Sequence, residues 1–129
     1  MALVPMEFED SVTKITTATT PKITLASGVS EIGTTGTNVY AVKDGKTVYI
    51  KFRVNKVLSL NVWNDIGTIP SGFFNTDANV DFVAGDFTSD TWMQARITDG
   101  GAVRVYAKSP SSGTANTTIA ITFTLVLTA

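Results

Sequence analysis

Two short stretches of this 129-residue chain carry side chains suited to binding a ligand. The first is Trp63–Asp65, with an asparagine between the two, and the second joins Trp92 to Gln94 and Arg96. Sugars present an apolar face of C–H groups and an edge of hydroxyls, so proteins bind them with an aromatic ring flanked by carboxylate, amide and guanidinium groups. A tryptophan in such a setting fits core packing equally well. The candidate ligand-binding residues are Trp63, Asp65, Trp92 and Arg96.

Most enzyme mechanisms are excluded by residues that the chain lacks. It has no cysteine and no histidine, and therefore no disulfide, thiol nucleophile, imidazole base or metal site built from nitrogen and sulfur. Serine nucleophiles would lack a base. A glycosidase needs two carboxylates held roughly 5 to 10 Å apart, and no carboxylate here has a signature of such placement. We expect neither enzyme activity nor a cofactor.

One acidic segment is similar to the start of a calcium-binding loop. Asp77, Asn79 and Asp81 have the right spacing, but Phe82 stands where that loop needs glycine and Thr88 where it needs glutamate. Acidic turns between strands explain the segment more simply. We predict no metal site, although a looser calcium site with oxygen ligands alone stays open.

Charge and hydropathy argue against nucleic acid and membrane partners. The formal net charge is -1 and the basic residues are scattered singly, which leaves no row of cations to neutralise phosphates. No apolar run approaches the roughly 20 residues of a membrane span. The N-terminus MALVPMEFED lacks the basic start and long apolar stretch of a signal peptide. We predict neither nucleic-acid binding nor membrane insertion.

The residue pattern predicts an all-β fold. Threonine, valine and isoleucine are frequent, and turn residues recur about every ten positions, which is typical of a single antiparallel β-sandwich or β-barrel of jelly-roll-like form. We assign residues 1–20 to an N-terminal arm or linker remnant and residues 21–129 to the β-sandwich domain.

Two hairpins carry most of this prediction. Residues 39–54 turn at Asp44-Gly45, and residues 91–109 turn at Asp99–Gly101. Alternation gives each hairpin an inner, apolar face and an outer, polar face. The predicted inner residues are Val48, Ile50, Phe52 and Val54 in the first hairpin, and Met93, Ala95, Ile97, Val103, Val105 and Ala107 in the second. The outer residues of the second are Trp92, Gln94, Arg96, Arg104, Tyr106 and Lys108, which either bind something or face water.

The orientation of Trp63 follows from the same alternation. Val62 alternates with Leu60 and Leu58, which have the spacing of core residues, so Trp63 is predicted on the opposite, outer face or at a subunit boundary, with Asp65 beside it. The last strand, residues 117–128, carries no charge. Such a strand is either central in a sandwich or covered by another subunit.

The order of these elements resembles a known family. A DG hairpin with the strand TVYIKFRV, the phrase VWNDIGTIPSGFF, an acidic loop, the hairpin WMQARITDGGAVRVYA and a closing apolar strand resemble the C-terminal head domains of receptor-binding and baseplate proteins of tailed phages that infect Gram-positive bacteria. The resemblance covers residues 39–129. The chain departs from it in having Phe74-Asn75 where the family has proline, and in lacking a histidine that some members use in the sugar site.

This resemblance implies a virion protein at the phage tail tip or baseplate. It implies a homotrimeric head that binds saccharides of the host cell wall through residues such as Trp63, Asp65, Trp92 and Arg96, in company with other tail proteins. A homotrimer would also account for the uncharged last strand. Two alternatives stay open: a structural baseplate or tail accessory protein that binds no sugar, and a carbohydrate-binding module or adhesin outside phages.

Overall fold

A computed structural model describes residues 12–18, 22–70, 73, 79–86 and 91–127, with the backbone alone at Asp86, Thr91 and Trp92. The described residues form ten strands and no helix. The strands are β1 (Val12–Thr16), β2 (Thr24–Leu25), β3 (Ser30–Glu31), β4 (Val39–Asp44), β5 (Thr47–Ser59), β6 (Trp63–Thr68), β7 (Val80–Asp86), β8 (Thr91–Ile97), β9 (Ala102–Tyr106) and β10 (Thr114–Val126). The all-β prediction is confirmed.

All of these strands belong to one antiparallel sheet that curls around its core. The strand order is β1-β4-β5-β10-β7-β8-β9-β6-β2, and β3 pairs separately with β5. The inner side chains of both long hairpins meet in this core, and all ten predicted inner residues are buried there. The architecture is that of a half-barrel, in agreement with the predicted β-sandwich or β-barrel.

The first hairpin turns one residue later than the sequence predicts. Asp44 pairs with Thr47, so that Gly45 and Lys46 form a two-residue turn. Gly45 has a φ of 57°, and a glycine with positive φ at the first central position matches the strand twist of a hairpin. The second hairpin turns over residues 98–101, where Gly101 has a φ of 86°.

A short segment joins the two ends of the curled sheet. β2 pairs with β6 and β3 pairs with β5, so residues 24–31 bridge strands that lie far apart in the sheet order. The bridge needs close backbone contact, because a Cβ atom at Gly67 would lie 2.8 Å from the carbonyl oxygen of Thr24. Only glycine fits at this position without displacing β2.

The last strand lies inside the sheet, between β5 and β7. Ile119 and Ile121 face the core, whereas Thr122, Thr124 and Val126 are exposed on the outer face. The central position of the strand therefore explains its apolar inner face. Its uncharged outer face is exposed to solvent in the single chain.

Part of the predicted N-terminal arm belongs to the sheet. Val12–Thr16 forms β1 and pairs with β4 along its whole length, and Ile15 is buried in the core. Residues 1–11 and 19–21 lie outside the described residues, so an arm that precedes β1 stays a prediction.

The carboxylate of Glu31 organises the loop between β3 and β4. It accepts hydrogen bonds from the Thr17 hydroxyl at 2.7 Å and from the backbone N–H groups of Gly36, Asn38 and Val39 at 2.8, 2.9 and 2.7 Å. Partial burial raises the pKa of Glu31, but these hydrogen bonds outweigh it and hold the pKa below its usual value.

We expect the substitution Glu31→Gln to lower the free energy of unfolding at pH 7 by about 1–3 kcal/mol, because an amide cannot accept all of these hydrogen bonds. A carboxyl whose pKa is depressed by folding contributes stability above its unfolded pKa, and that contribution is lost as the pH falls through the folded pKa. Urea denaturation should therefore show a deficit that shrinks below about pH 4. The exposed control Asp99→Asn should change little; an unaltered Glu31→Gln variant at pH 7 would contradict the account.

Candidate ligand-binding face

Four neighbouring strands, β6, β9, β8 and β7, present a continuous outer surface, which we call the Trp63 face. One cross-strand row of this face is charged. Asp65, Arg104, Arg96 and Asp81 stand opposite one another in register on the four strands. The two arginines therefore occupy the middle of the row and the two aspartates its ends.

Each arginine in this row binds the aspartate on its outer side. Arg96 donates from Nε and Nη2 to the two carboxylate oxygens of Asp81, at 2.7 and 3.2 Å, and Arg104 donates from Nε to Asp65 at 2.9 Å. The hydrogen bond from Arg96 lowers the pKa of Asp81, and Asp81 raises the pKa of Arg96. The Arg96–Asp81 pair therefore stays charged at neutral pH, and it fixes the orientation of a planar set of donors.

The adjacent row of the Trp63 face supplies aromatic surface. Trp63, Tyr106, Gln94 and Val83 stand opposite one another on the same four strands. The rings of Trp63 and Tyr106 are 5.6 Å apart between centroids and tilted by 60°. Val83 is 65% exposed. The row thus combines two aromatic rings with an amide and an apolar end.

Trp63 connects the two rows. It is half-buried, and the guanidinium carbon of Arg96 lies 4.7 Å from its ring centroid, which is a cation–π distance. The side chain is therefore on the outer face, as predicted, and it is held in place by neighbours on two other strands. The predicted reason is only partly right, because Val62 is exposed: the chain turns over residues 60–62 and interrupts the alternation from Leu58.

Three of the four candidate residues thus converge on one surface. Trp63, Asp65 and Arg96 share the Trp63 face, whereas the side chain of Trp92 lies outside the described part of the structure. Two partners, Arg104 and Asp81, were absent from the candidate set. Alternation within β9 and β7 predicts that both side chains point outward. Their pairing with Asp65 and Arg96 depends on the order of the strands in the sheet, which local sequence patterns do not reveal.

Asn64, in contrast, is a structural residue. It is buried and faces inward, where its Oδ1 accepts from the backbone N–H of Ser59 at 2.9 Å and its Nδ2 donates to the carbonyls of Ser59 and Val62 at 2.9 and 3.0 Å. The amide therefore locks the turn between β5 and β6, which sets where Trp63 begins the next strand.

We expect Asn64→Ala to lower the free energy of unfolding by about 2–3 kcal/mol, since three part-buried hydrogen bonds that hold the turn would be lost. Thermal denaturation followed by circular dichroism measures this effect. The matched control Asn116→Ala, at an exposed position of β10, should cost less than about 0.5 kcal/mol. Equal stability of the two variants would show that the turn does not depend on Asn64.

Neither a metal centre nor a membrane helix is found where the structure is described. Within those residues, no group of three or more acidic, cysteine or histidine side chains is placed to hold a metal ion. Asp81 of the calcium-like segment binds Arg96, and Asp77 lies outside the described residues. In the same residues, no helix has the length and apolar character of a membrane span.

Comparison with known proteins shows a likeness among solved structures. No protein-family model and no curated protein matches the chain. Among solved structures, the chain is similar to the head domain of phage bIL170, described among the receptor-binding domains of lactococcal phages. The TM-score is 0.64 at 17% sequence identity, and the alignment covers 81% of this chain and 94% of that chain. The two proteins therefore share a fold.

Proposed function

We propose that this chain is a receptor-binding head of a tailed phage and that its Trp63 face binds a saccharide on the surface of a Gram-positive host. The convergence of Trp63, Asp65 and Arg96 on one outer surface carries the proposal. The fold shared with a lactococcal phage head domain supports the same assignment. The protein would then belong to the tail tip or baseplate of the virion.

The chemistry of the Trp63 face suits a sugar. The rings of Trp63 and Tyr106 offer apolar surface to the C–H groups of a pyranose, and the charged row beside them offers donors and acceptors to its hydroxyls. The ion pairs hold these groups in place before a ligand arrives, which reduces the entropy lost on binding. Binding makes and breaks no covalent bond.

A homotrimer is the assembly that we propose for this head. The outer face of β10 offers an uncharged surface for subunit contact, made up of Ala120, Thr122, Thr124 and Val126. Three heads on a common axis, repeated on one virion, would multiply a weak affinity for single sugars. Light scattering should give three times the 13.7 kDa chain mass, and a monomer at micromolar concentration would refute the trimer.

The direct test of the function is the binding of fluorescently labelled protein to intact cells. We expect it to bind some strains in a panel of Gram-positive bacteria, including lactococci, and to be displaced by wall polysaccharide released from those strains. Binding that polysaccharide does not displace would remove the saccharide role. A protein that ignores every strain but binds isolated tail or baseplate proteins would favour the structural alternative, to which the exposed Val57, Val83 and Val126 would then contribute contact surface.

A further inference from the structure

A cavity of about 280 Å³ opens beside the Trp63 face. It is lined by residues of β2, β6 and β9, and it shares the pair Asp65–Arg104 with the charged row. Its lining residues are Thr24, Leu25, Ala26, Asp65, Gly67, Thr68, Ala102 and Arg104. Of the four candidate residues, Asp65 alone lines the cavity.

An irregularity in β6 shapes this cavity. The register between β6 and β9 shifts between Asp65 and Gly67, so Ile66 is an extra residue and is buried in the core. Such a bulge bends its strand and re-aims the side chains on either side. Gly67 is buried against the carbonyl of Thr24, whereas Asp65 and Thr68 on either side of it are exposed and line the cavity.

We propose that this cavity binds a single neutral sugar ring through a pair of adjacent hydroxyls. This inference rests on the proposed function and names a second contact for the same ligand, next to the Trp63 face. The volume is just below the range of about 300–1,000 Å³ of pockets that take drug-sized molecules. It therefore admits one ring, and the rest of a glycan would extend onto Trp63.

The polar groups of the cavity specify the ligand. Arg104 uses its Nε for Asp65 at 2.9 Å, and within the described residues its two terminal nitrogens have no further partner. The guanidinium can donate a hydrogen bond to one sugar hydroxyl, and the carboxylate beside it can accept one from the neighbouring hydroxyl. Thr24 and Thr68 also line the cavity, and their hydroxyls can donate and accept further hydrogen bonds. The pair carries no net charge, and Asp65 would repel a phosphate or carboxylate, which favours a neutral ring.

The remaining lining of the cavity is apolar. Leu25, Ala26 and Ala102 contribute small or medium apolar side chains, which suit the C–H face of a ring. A larger side chain at Ala102 would fill the space, since this residue is half-buried at the start of β9. Ala102 faces Thr68 across the strand pair, and it belongs to neither the charged row nor the aromatic row of the Trp63 face.

Saturation-transfer NMR with methyl glycosides of glucose, galactose, rhamnose and N-acetylglucosamine tests the proposal. We expect at least one glycoside to bind the wild-type protein with millimolar affinity. Ala102→Leu should abolish its signal, whereas Ser112→Leu in the exposed loop before β10 should keep it. If Ala102→Leu does not fold, Thr68→Val, which keeps the volume and removes one hydroxyl, should weaken binding at least threefold.

Two outcomes would overturn the proposal: no glycoside binds the wild-type protein, or Ala102→Leu and Thr68→Val bind as the wild type does. The cell-binding assay separates this failure from that of the proposed function. If the wild type and Ala102→Leu bind cells equally well and Trp63→Ala does not bind them, the receptor role stands and the cavity has no part in it.

Discussion

Replacement of Trp63 by alanine is expected to weaken binding of the protein to wall polysaccharide about 10- to 100-fold. Central aromatic residues of binding surfaces commonly contribute 1–3 kcal/mol, and 1.4 kcal/mol corresponds to a factor of ten. The substitution also releases Arg96 and Tyr106, which are both in contact with the indole ring. The loss should therefore combine a missing apolar platform with less well-ordered polar groups.

Matched variants make this result specific. Trp63→Phe keeps an aromatic ring and should retain part of the affinity. Tyr49→Ala removes an aromatic ring that contacts Tyr40 on the other half of the sheet, and it should bind as the wild type does. Circular dichroism would confirm that each variant is folded. Equal losses in the Trp63 and Tyr49 variants would point to a general effect on the protein and against a site on the Trp63 face.

Replacement of Gly101 by alanine is expected to lower the free energy of unfolding by about 3 kcal/mol or more. Gly101 has a φ of 86°, which costs a residue with a side chain roughly 1–2 kcal/mol. A Cβ atom there would lie 2.6 Å from the carbonyl oxygen of Ile69, so either the turn or the chain after β6 must move. The N–H of Ile69 donates to the carbonyl of Gly101 at 3.0 Å, and this hydrogen bond would be strained as well.

The neighbouring glycine supplies the control for this prediction. Gly100 is exposed, has no positive φ, and a Cβ atom there would have its nearest neighbour at 4.0 Å. Gly100→Ala should therefore change stability by less than about 0.5 kcal/mol. Urea denaturation of both variants gives the comparison. If Gly101→Ala were no less stable than Gly100→Ala, the close approach of the turn to Ile69 would be disproved.

Local patterns predicted the elements whose side chains alternate over several residues. The inner faces of β5, β8 and β9 follow directly from period-two spacing, because each of these strands packs one face on the core. The turns were predictable to within one residue, since glycine marks the positive φ angles that they require. Trp63 was assigned to the correct face although the alternation that precedes it is interrupted at Val62.

Features that depend on distant pairing were not predictable from the sequence. β2 and β3 have two residues each, too few for a periodic signal, yet together they join β6 to β5. The pairs Asp65–Arg104 and Asp81–Arg96 arise because β9 and β8 lie between β6 and β7. Residues 39 and 15 positions apart in the chain thus become neighbours, and only the strand order reveals it.

The indole N–H resonances of the protein offer the most direct test of the claim that the Trp63 face binds a saccharide. The chain has two tryptophans, so a ¹⁵N correlation spectrum contains two such signals, which a Trp63→Phe variant would assign. On titration with wall polysaccharide from a strain that the protein binds, we predict a saturable shift of the Trp63 signal, with changes in the amides of Tyr106 and Gln94. A Trp63 signal that stays unchanged while the polysaccharide binds would contradict the account.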